Sequence, residues 1–198
     1  MQKLRTSKGF TLVEMAIVLI IIGIILAAVL KGGDLIDGAK EKRFKSEVDQ
    51  LTTAYYSYID RFNRVPGDDD TALARWAGAS NGGNNGLIDA AAERANDTGA
   101  LNHLRRANMI PAGAAAAAPF NSQVYPGVSM TFLSSNDVAW ARNTNLVVIN
   151  GMAQADALLF DTKYDDGVAN TGDIRSSDNA GVPQNAYANP PIIAVRLR

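Results

Sequence analysis

Four aspartates, Asp161, Asp165, Asp166 and Asp173, fall within thirteen residues of the stretch "FDTKYDDGVANTGDIR", interrupted by glycine and asparagine. Carboxylates at this density on a loop make a donor set for a hard cation. Calcium takes six to eight oxygens, mixing carboxylates with amide and backbone carbonyls, and Asn170 adds an amide. The same residues also describe an acidic, solvated hairpin turn, because "DDG" is a good turn signal. Both readings stand at this point. A second stretch, "NGGNNGLIDAAAE", imitates a calcium-binding helix–loop–helix with Asn81, Asn85 and Gly86, but Glu93 falls one residue too late for the twelfth position. There, and at "GDDD" (Gly67–Asp70), helix capping and turn formation are the simpler account.

Little else announces chemistry. His103 is the single histidine, set in "LNHLRR" on a predicted helix, and there is no cysteine. A zinc site or a nucleophile–histidine pair cannot be assembled from such neighbours, so His103 reads as structural. Neither a G-x-S-x-G elbow, a P-loop nor a G-x-G-x-x-G fingerprint occurs, and the chain does not read as an enzyme. The chain's 198 residues have a net charge of −1. Residues 1–63 hold nine Lys and Arg against seven Asp and Glu, and residues 64–198 hold ten against thirteen. Neither half has the basic excess that nucleic-acid binding requires.

One carboxylate sits where chemistry is least expected. From Phe10 to Leu30 every residue is apolar or nearly so, except Thr11 and Glu14. As a helix this stretch reaches about 31 Å, close to the hydrocarbon thickness of a bilayer. An ionised side chain at the centre of such a span costs about 2.5–3.5 kcal/mol, so Glu14 needs compensation. It can snorkel to the interface or pair with a cation. A cleaved secretory signal, with Lys3, Arg5 and Lys8 as its basic region, fits less well. The apolar run is long for one, and "LAAVLKGG" is a poor cleavage site. Basic residues on both sides of the span leave its orientation undecided by charge.

The stretch "KGFTLVE", with a short basic leader before it, resembles the class III signal of type IV pilins and type II secretion pseudopilins. The resemblance extends over residues 3–62. It implies cleavage after Gly9 by a prepilin peptidase and N-methylation of the new terminal Phe10. It also implies that Glu14 neutralises the Phe10 amine of a neighbouring subunit inside a filament. An inner-membrane assembly platform, a head domain in the periplasm, and a filament in the periplasm or outside the cell follow from the same resemblance. Several pseudopilins hold calcium in a C-terminal acidic loop where many pilins have a disulfide, and the absent cysteines agree with that. The chain departs from the family in having Gly32 and Gly33 where a proline-kinked stretch is common. Glycines cost a helix about 1 kcal/mol each, which points to local melting on assembly.

The elements that must hold these residues are legible in outline. Phe44, Val48, Leu51, Tyr55, Tyr58, Ile59 and Phe62 recur at three- and four-residue spacing, one stripe of a helix, and "NRVPGDDD" stops it. A nearly continuous helix from Phe10 to Asn63 is predicted, lipidic first and amphipathic after, its stripe packing on the chain's own head. Short helices follow at "TALARWAG", capped by the preceding aspartates, and at "TGALNHLRRANMI", then an alanine-rich loop at "PAGAAAAAPF". Strands are predicted at "VSMTFL", "DVAWAR" and "NLVVIN", then a helix in "MAQADALLFDTKYDDG". A half-buried closing strand is predicted in "PPIIAVRLR", with Ile193, Val195 and Leu197 inward. The expectation is an α+β chain: leader 1–9, membrane and assembly helix 10–30, amphipathic continuation 31–63, and head 64–198 with an antiparallel sheet. As function it predicts a structural subunit that polymerises through its N-terminal helix. The rival reading is a single-pass membrane-anchored periplasmic binding domain, which would need a concave site that no motif announces.

Overall fold

The computed structural model describes residues 9–113, 118–134, 143–177 and 192–197. The strand expected at 137–142 lies outside them, as do residues 114–117 of the alanine-rich loop. A single helix, α1, runs from Leu12 to Phe62, within two residues of the expected bounds. The chain divides into two compact units, one ending at Lys42 and one beginning at Arg43.

In the first unit the α1 side chains from Leu12 to Leu30 are all exposed. The most apolar window has a mean hydropathy of 3.0 with none of it buried, so this is a helix long and apolar enough to cross a membrane. It continues unbroken through Gly23, Gly32, Gly33 and Gly38, and a Cβ at any of the four would touch nothing within 4 Å. The glycine pair therefore does not break the helix in the isolated chain.

The second unit explains why α1 persists beyond the apolar span. Phe44, Val48, Leu51, Ala54, Tyr55 and Tyr58 are all buried, with Ile59 and Phe62 packed at the margin. Full burial of one large side chain is worth about 1.5–3 kcal/mol, which outweighs the cost of one helical glycine. Among the described residues the rest is four short helices and five strands. The helices are α2 (Ala72–Arg75), α3 (Ala91–Arg94), α4 (Ala100–Arg106) and α5 (Gln154–Tyr164). The strands are β1 (Phe120–Asn121), β2 (Ser129–Ser134), β3 (Asn145–Asn150), β4 (Ile174–Ser177) and β5 (Ile192–Arg196). They form an antiparallel sheet in the order β1-β2-β3-β5-β4. The fold is α+β. Phe44 meets Phe160 of α5 and Tyr125 edge-on at 5.3 Å, and Tyr55 stacks on Phe132 of β2 at 5.8 Å.

Three local expectations are corrected. β5 is an inner strand between β3 and β4, not a half-buried closing one. Ile193 joins the main core while Ala194 packs with Leu146 and Val148 on the opposite face. No aspartate caps α2: its N-cap is Thr71, without a side-chain cap bond. Asp69 instead accepts the Thr71 N–H at 2.9 Å, the Thr71 hydroxyl at 2.8 Å and the Tyr58 hydroxyl at 2.6 Å, and pairs with Arg75. Finally, α4 ends at Arg106, and Asn108, at φ 57°, turns the chain before Pro111.

Two buried carboxylates organise the glycine- and asparagine-rich loop between α2 and α3. Asp68 accepts the N–H groups of Asn85 (3.1 Å) and Gly86 (2.6 Å), and Glu93 accepts those of Gly83 (2.8 Å), Asp89 and Ala90 (2.9 Å each). His103 fixes the start of the same region. Its Nδ1 accepts the Gly67 N–H at 2.9 Å, which leaves the proton on Nε2 to donate to the Ser80 carbonyl at 3.0 Å. Fully buried, the ring is held neutral. Burial pushes its pKa down to about 4, the Ser80 bond opposes that shift, and the Arg75 charge adds to it. The unfolded chain therefore takes up this proton first as pH falls, and stability is lost between about pH 6.5 and pH 4. Going from pH 7 to pH 5 should cost about 2 kcal/mol through His103. Urea midpoints of the full chain in detergent, read by tryptophan fluorescence, check this. His103→Gln should be less stable at pH 7 yet lose less on acidification.

Candidate functional site

At the head of α1 the backbone of Gly9 and Phe10 is exposed and outside the helix, with Phe10 80% accessible. Thr11 is the N-cap and Glu14 the third helical residue. The Thr11 hydroxyl accepts the Glu14 N–H at 3.2 Å. In return Glu14 Oε2 accepts the Thr11 N–H at 2.7 Å and the Thr11 hydroxyl at 2.8 Å. This is a reciprocal capping box, which satisfies N–H groups that a helix start leaves without partners. It gives the carboxylate local compensation within its own chain. Glu14 Oε1 carries no hydrogen bond among the described residues. Reading Glu14 as a lone charge missed Thr11, although T-x-x-E ahead of an apolar run is the sequence signature of this box.

In the acidic loop the structure brings three of the four aspartates together. One carboxylate oxygen each from Asp161, Asp165 and Asp166 lies within 4.8 Å of the other two. They step from core to solvent: Asp161 is fully buried, Asp165 intermediate and Asp166 exposed. Asp161 belongs to the last turn of α5, and Asp165 is its C-cap. Asp173 stands apart, its carboxylate 3.7 Å from Arg196 of β5.

These carboxylates also have backbone work. Asp165 Oδ2 accepts the Ile174 N–H at 2.7 Å, and the Ala169 carbonyl accepts the Ser176 N–H at 2.7 Å. The loop thus covers alternate N–H groups of β4, which lies at the end of the sheet order. Gly172 is required for this, since a Cβ there would fall on the Asp165 carboxylate. Asp166 accepts the Thr171 hydroxyl at 2.5 Å and the Val168 N–H at 2.9 Å, and these bonds, the first foremost, hold its pKa below the usual carboxylate range. Three carboxylates leave enough lone pairs to hold a calcium ion beside these bonds. Water and carbonyls would have to complete six to eight ligands. The loop that imitates a helix–loop–helix site is different. Its Glu93, with Asp68, is committed to backbone N–H groups.

Comparison with known proteins bears on the first site. No curated protein and no solved structure matches the chain significantly. Residues 4–30 match the family model of the prokaryotic N-terminal methylation motif, a match that ends well short of residue 62, to which the resemblance extends. Gly9, Phe10, Thr11 and Glu14 all lie inside it, at the start of an apolar, membrane-capable helix. The chain thus carries the class III signal of type IV pilins and pseudopilins, and by that signal it is prepilin-like.

Proposed function

We propose that this chain is the precursor of a filament subunit, cut between Gly9 and Phe10, methylated on Phe10, and polymerised through α1. The filament is a type II secretion pseudopilus or a type IV pilus-like fibre. The subunit waits in the inner membrane with its head in the periplasm, served by a prepilin peptidase and an assembly platform. The observation that carries the reading is the methylation motif at residues 4–30 on an apolar helix with no burial of its own. An acidic loop and the absence of cysteine favour the pseudopilus. Mass spectrometry of the amino terminus, on protein made with a prepilin peptidase, should find N-methylated Phe10. Gly9→Val should stay unprocessed, because a side chain there keeps the peptidase from the backbone. A terminus at Met1 or near Lys31 would instead mean a plain anchor or a secretory signal.

Cleavage puts an ammonium on Phe10, and Glu14 Oε1 is the acceptor we assign to a neighbour's amine. A buried pair of this kind is tolerable, whereas breaking one costs about 3–5 kcal/mol. The capping box separates this role from a local one. Glu14→Gln keeps the box and removes the charge, while Thr11→Val removes the hydroxyl half of the box, at about 1 kcal/mol, and keeps the charge. Filament yield from cells with the assembly machinery should collapse in Glu14→Gln and in Glu14→Ala, and persist in Thr11→Val. Membrane insertion should be no worse in Glu14→Ala than in the wild type. Normal filaments from Glu14→Gln would remove the pairing and leave Glu14 as a cap.

We further propose that Asp161, Asp165 and Asp166 hold calcium, with Asp173 outside the ligand set. Saturation at a hundredfold excess over Kd would stabilise the head by about 2.7 kcal/mol. Chelator should then lower the melting temperature of the wild type and of Asp173→Ala. Asp166→Asn, which keeps an oxygen for the Val168 N–H, should lose that response. Equal melts in chelator and in millimolar calcium would leave the loop as a cover for β4 alone.

A further inference from the structure

Three Asn-Gly pairs occur in the chain, Asn81–Gly82, Asn85–Gly86 and Asn150–Gly151, and they have different surroundings. At Asn85–Gly86 both residues are exposed, and the Gly86 N–H and both side-chain polar atoms of Asn85 face groups of definite chemistry. The Gly86 N–H donates to Asp68 Oδ2 at 2.6 Å. Asn85 Oδ1 accepts the Leu87 N–H at 2.8 Å, and Asn85 Nδ2 donates to Asp89 Oδ2 at 3.2 Å. A backbone N–H only donates and an ionised carboxylate only accepts, so the amide can sit only this way round.

We propose that Asn85 is a self-modifying site, at which the Gly86 nitrogen displaces the side-chain amine of Asn85. The nitrogen forms a bond to Asn85 Cγ as its proton passes to Asp68. The Leu87 N–H holds the negative oxygen of the tetrahedral intermediate, as an oxyanion hole does. Asp89 holds the amine that departs. The Cγ–Nδ2 bond then breaks, and Nδ2 leaves as ammonia, carrying away the proton that Asp68 received. One water opens the resulting five-membered imide at either carbonyl, leaving an aspartate or an isoaspartate at position 85. The balance is one amide and one water in, one carboxylic acid and one ammonia out, with no change of oxidation state. Burial, the largest influence on Asp68, raises its pKa and makes it a stronger base than a free carboxylate.

The other two pairs lack this arrangement. Gly82 donates to the Asp69 carbonyl at 3.0 Å, which is no base, and Asn81 Oδ1 is taken by the Leu73 N–H at 2.8 Å. Asn150 is held in extended register opposite Ser129. The product would also matter to the head. It replaces an amide donor facing Asp89 with a carboxylate, or adds a methylene to the backbone of a loop that Asp68 and Glu93 hold by its N–H groups.

The test uses the full chain in detergent, incubated at neutral pH folded and, in parallel, in denaturing urea. Peptide mapping by mass spectrometry, with isoaspartate detected by enzymatic methylation, follows all three pairs. Folded protein should lose Asn85 faster than unfolded protein does, while Asn81 and Asn150 should be slower folded than unfolded. Asp68→Asn, which keeps an acceptor but not a base, should slow Asn85 by about tenfold or more when folded, within the range of general-base catalysis. Should that variant fail to fold, the wild-type comparison of folded with unfolded rates still decides. Asn85 reacting no faster folded than in urea, or Asn81 or Asn150 gaining equally from folding, would overturn the proposal.

Discussion

Burial of the stripe Phe44–Val48–Leu51–Tyr55–Tyr58 against the sheet and α5 is the interaction from which the rest of the head follows. It fixes which side of the helix faces inward from Arg43 onward, and so sets where the sheet can pack. It brings Tyr55 to Asn145, which donates to the Tyr55 hydroxyl and to the Gly86 carbonyl while accepting the Ile88 N–H. One asparagine thereby ties α1, β3 and the loop after α2 together. It also brings Tyr58 to Asp69 and within 6.0 Å of the His103 ring. These polar contacts are buried, and each would be costly if a partner were lost. They make the head specific, and the apolar stripe makes it stable.

The same helix obeys a different rule before Lys42. From Leu12 to Leu30 its side chains are almost all apolar and, among the described residues, all exposed, so burial within the chain contributes nothing to holding that span. Helical hydrogen bonds, the cap at Thr11 and Glu14, and a surrounding apolar medium must suffice. In lipid that is enough, because an unpaired backbone group costs several kcal/mol and no water can replace the partner. Four glycines are tolerated on these terms without any local break.

How much of this the sequence disclosed depended on periodicity. The α1 stripe and β2 carry a repeating apolar pattern, β3 a continuous apolar run, and these and α5 stand where the sequence put them. The elements it did not disclose are mostly too short to have a period. α3 has four residues, β4 has four and β1 has two, and they exist because distant partners complete them. In β5, Ile193, Val195 and Leu197 share the core face as read, but alanine was counted as outward and Ala194 fills the space beside Leu146 and Val148, so the strand is not half-buried. At the amino terminus the types and spacing of Gly9, Phe10 and Glu14 carried the identification. What they did not disclose was Thr11, because a threonine next to a conspicuous acid reads as filler until its hydrogen bonds are drawn.

A common physical thread joins the acidic residues of this chain. Glu14, Asp68, Glu93, Asp165 and Asp166 all accept backbone N–H groups, and none of these bonds can be seen in a count of carboxylates. In a chain with no cysteine and, after α1, only short helices among the described residues, carboxylates are a means by which irregular backbone is held, since a charged acceptor bond is stronger than a neutral one. This role competes with metal binding only where it uses up every lone pair. Asp68 and Glu93 take bonds on both oxygens deep in the head, so a cation there would have to displace backbone contacts. The acidic loop differs because its carboxylates step from core to surface, with exposed Asp166 at the open end. Glu14 follows the same logic in an apolar setting. One oxygen serves the helix start, and the other takes no hydrogen bond among the described residues, so a single carboxylate is compensated locally and keeps acceptor capacity.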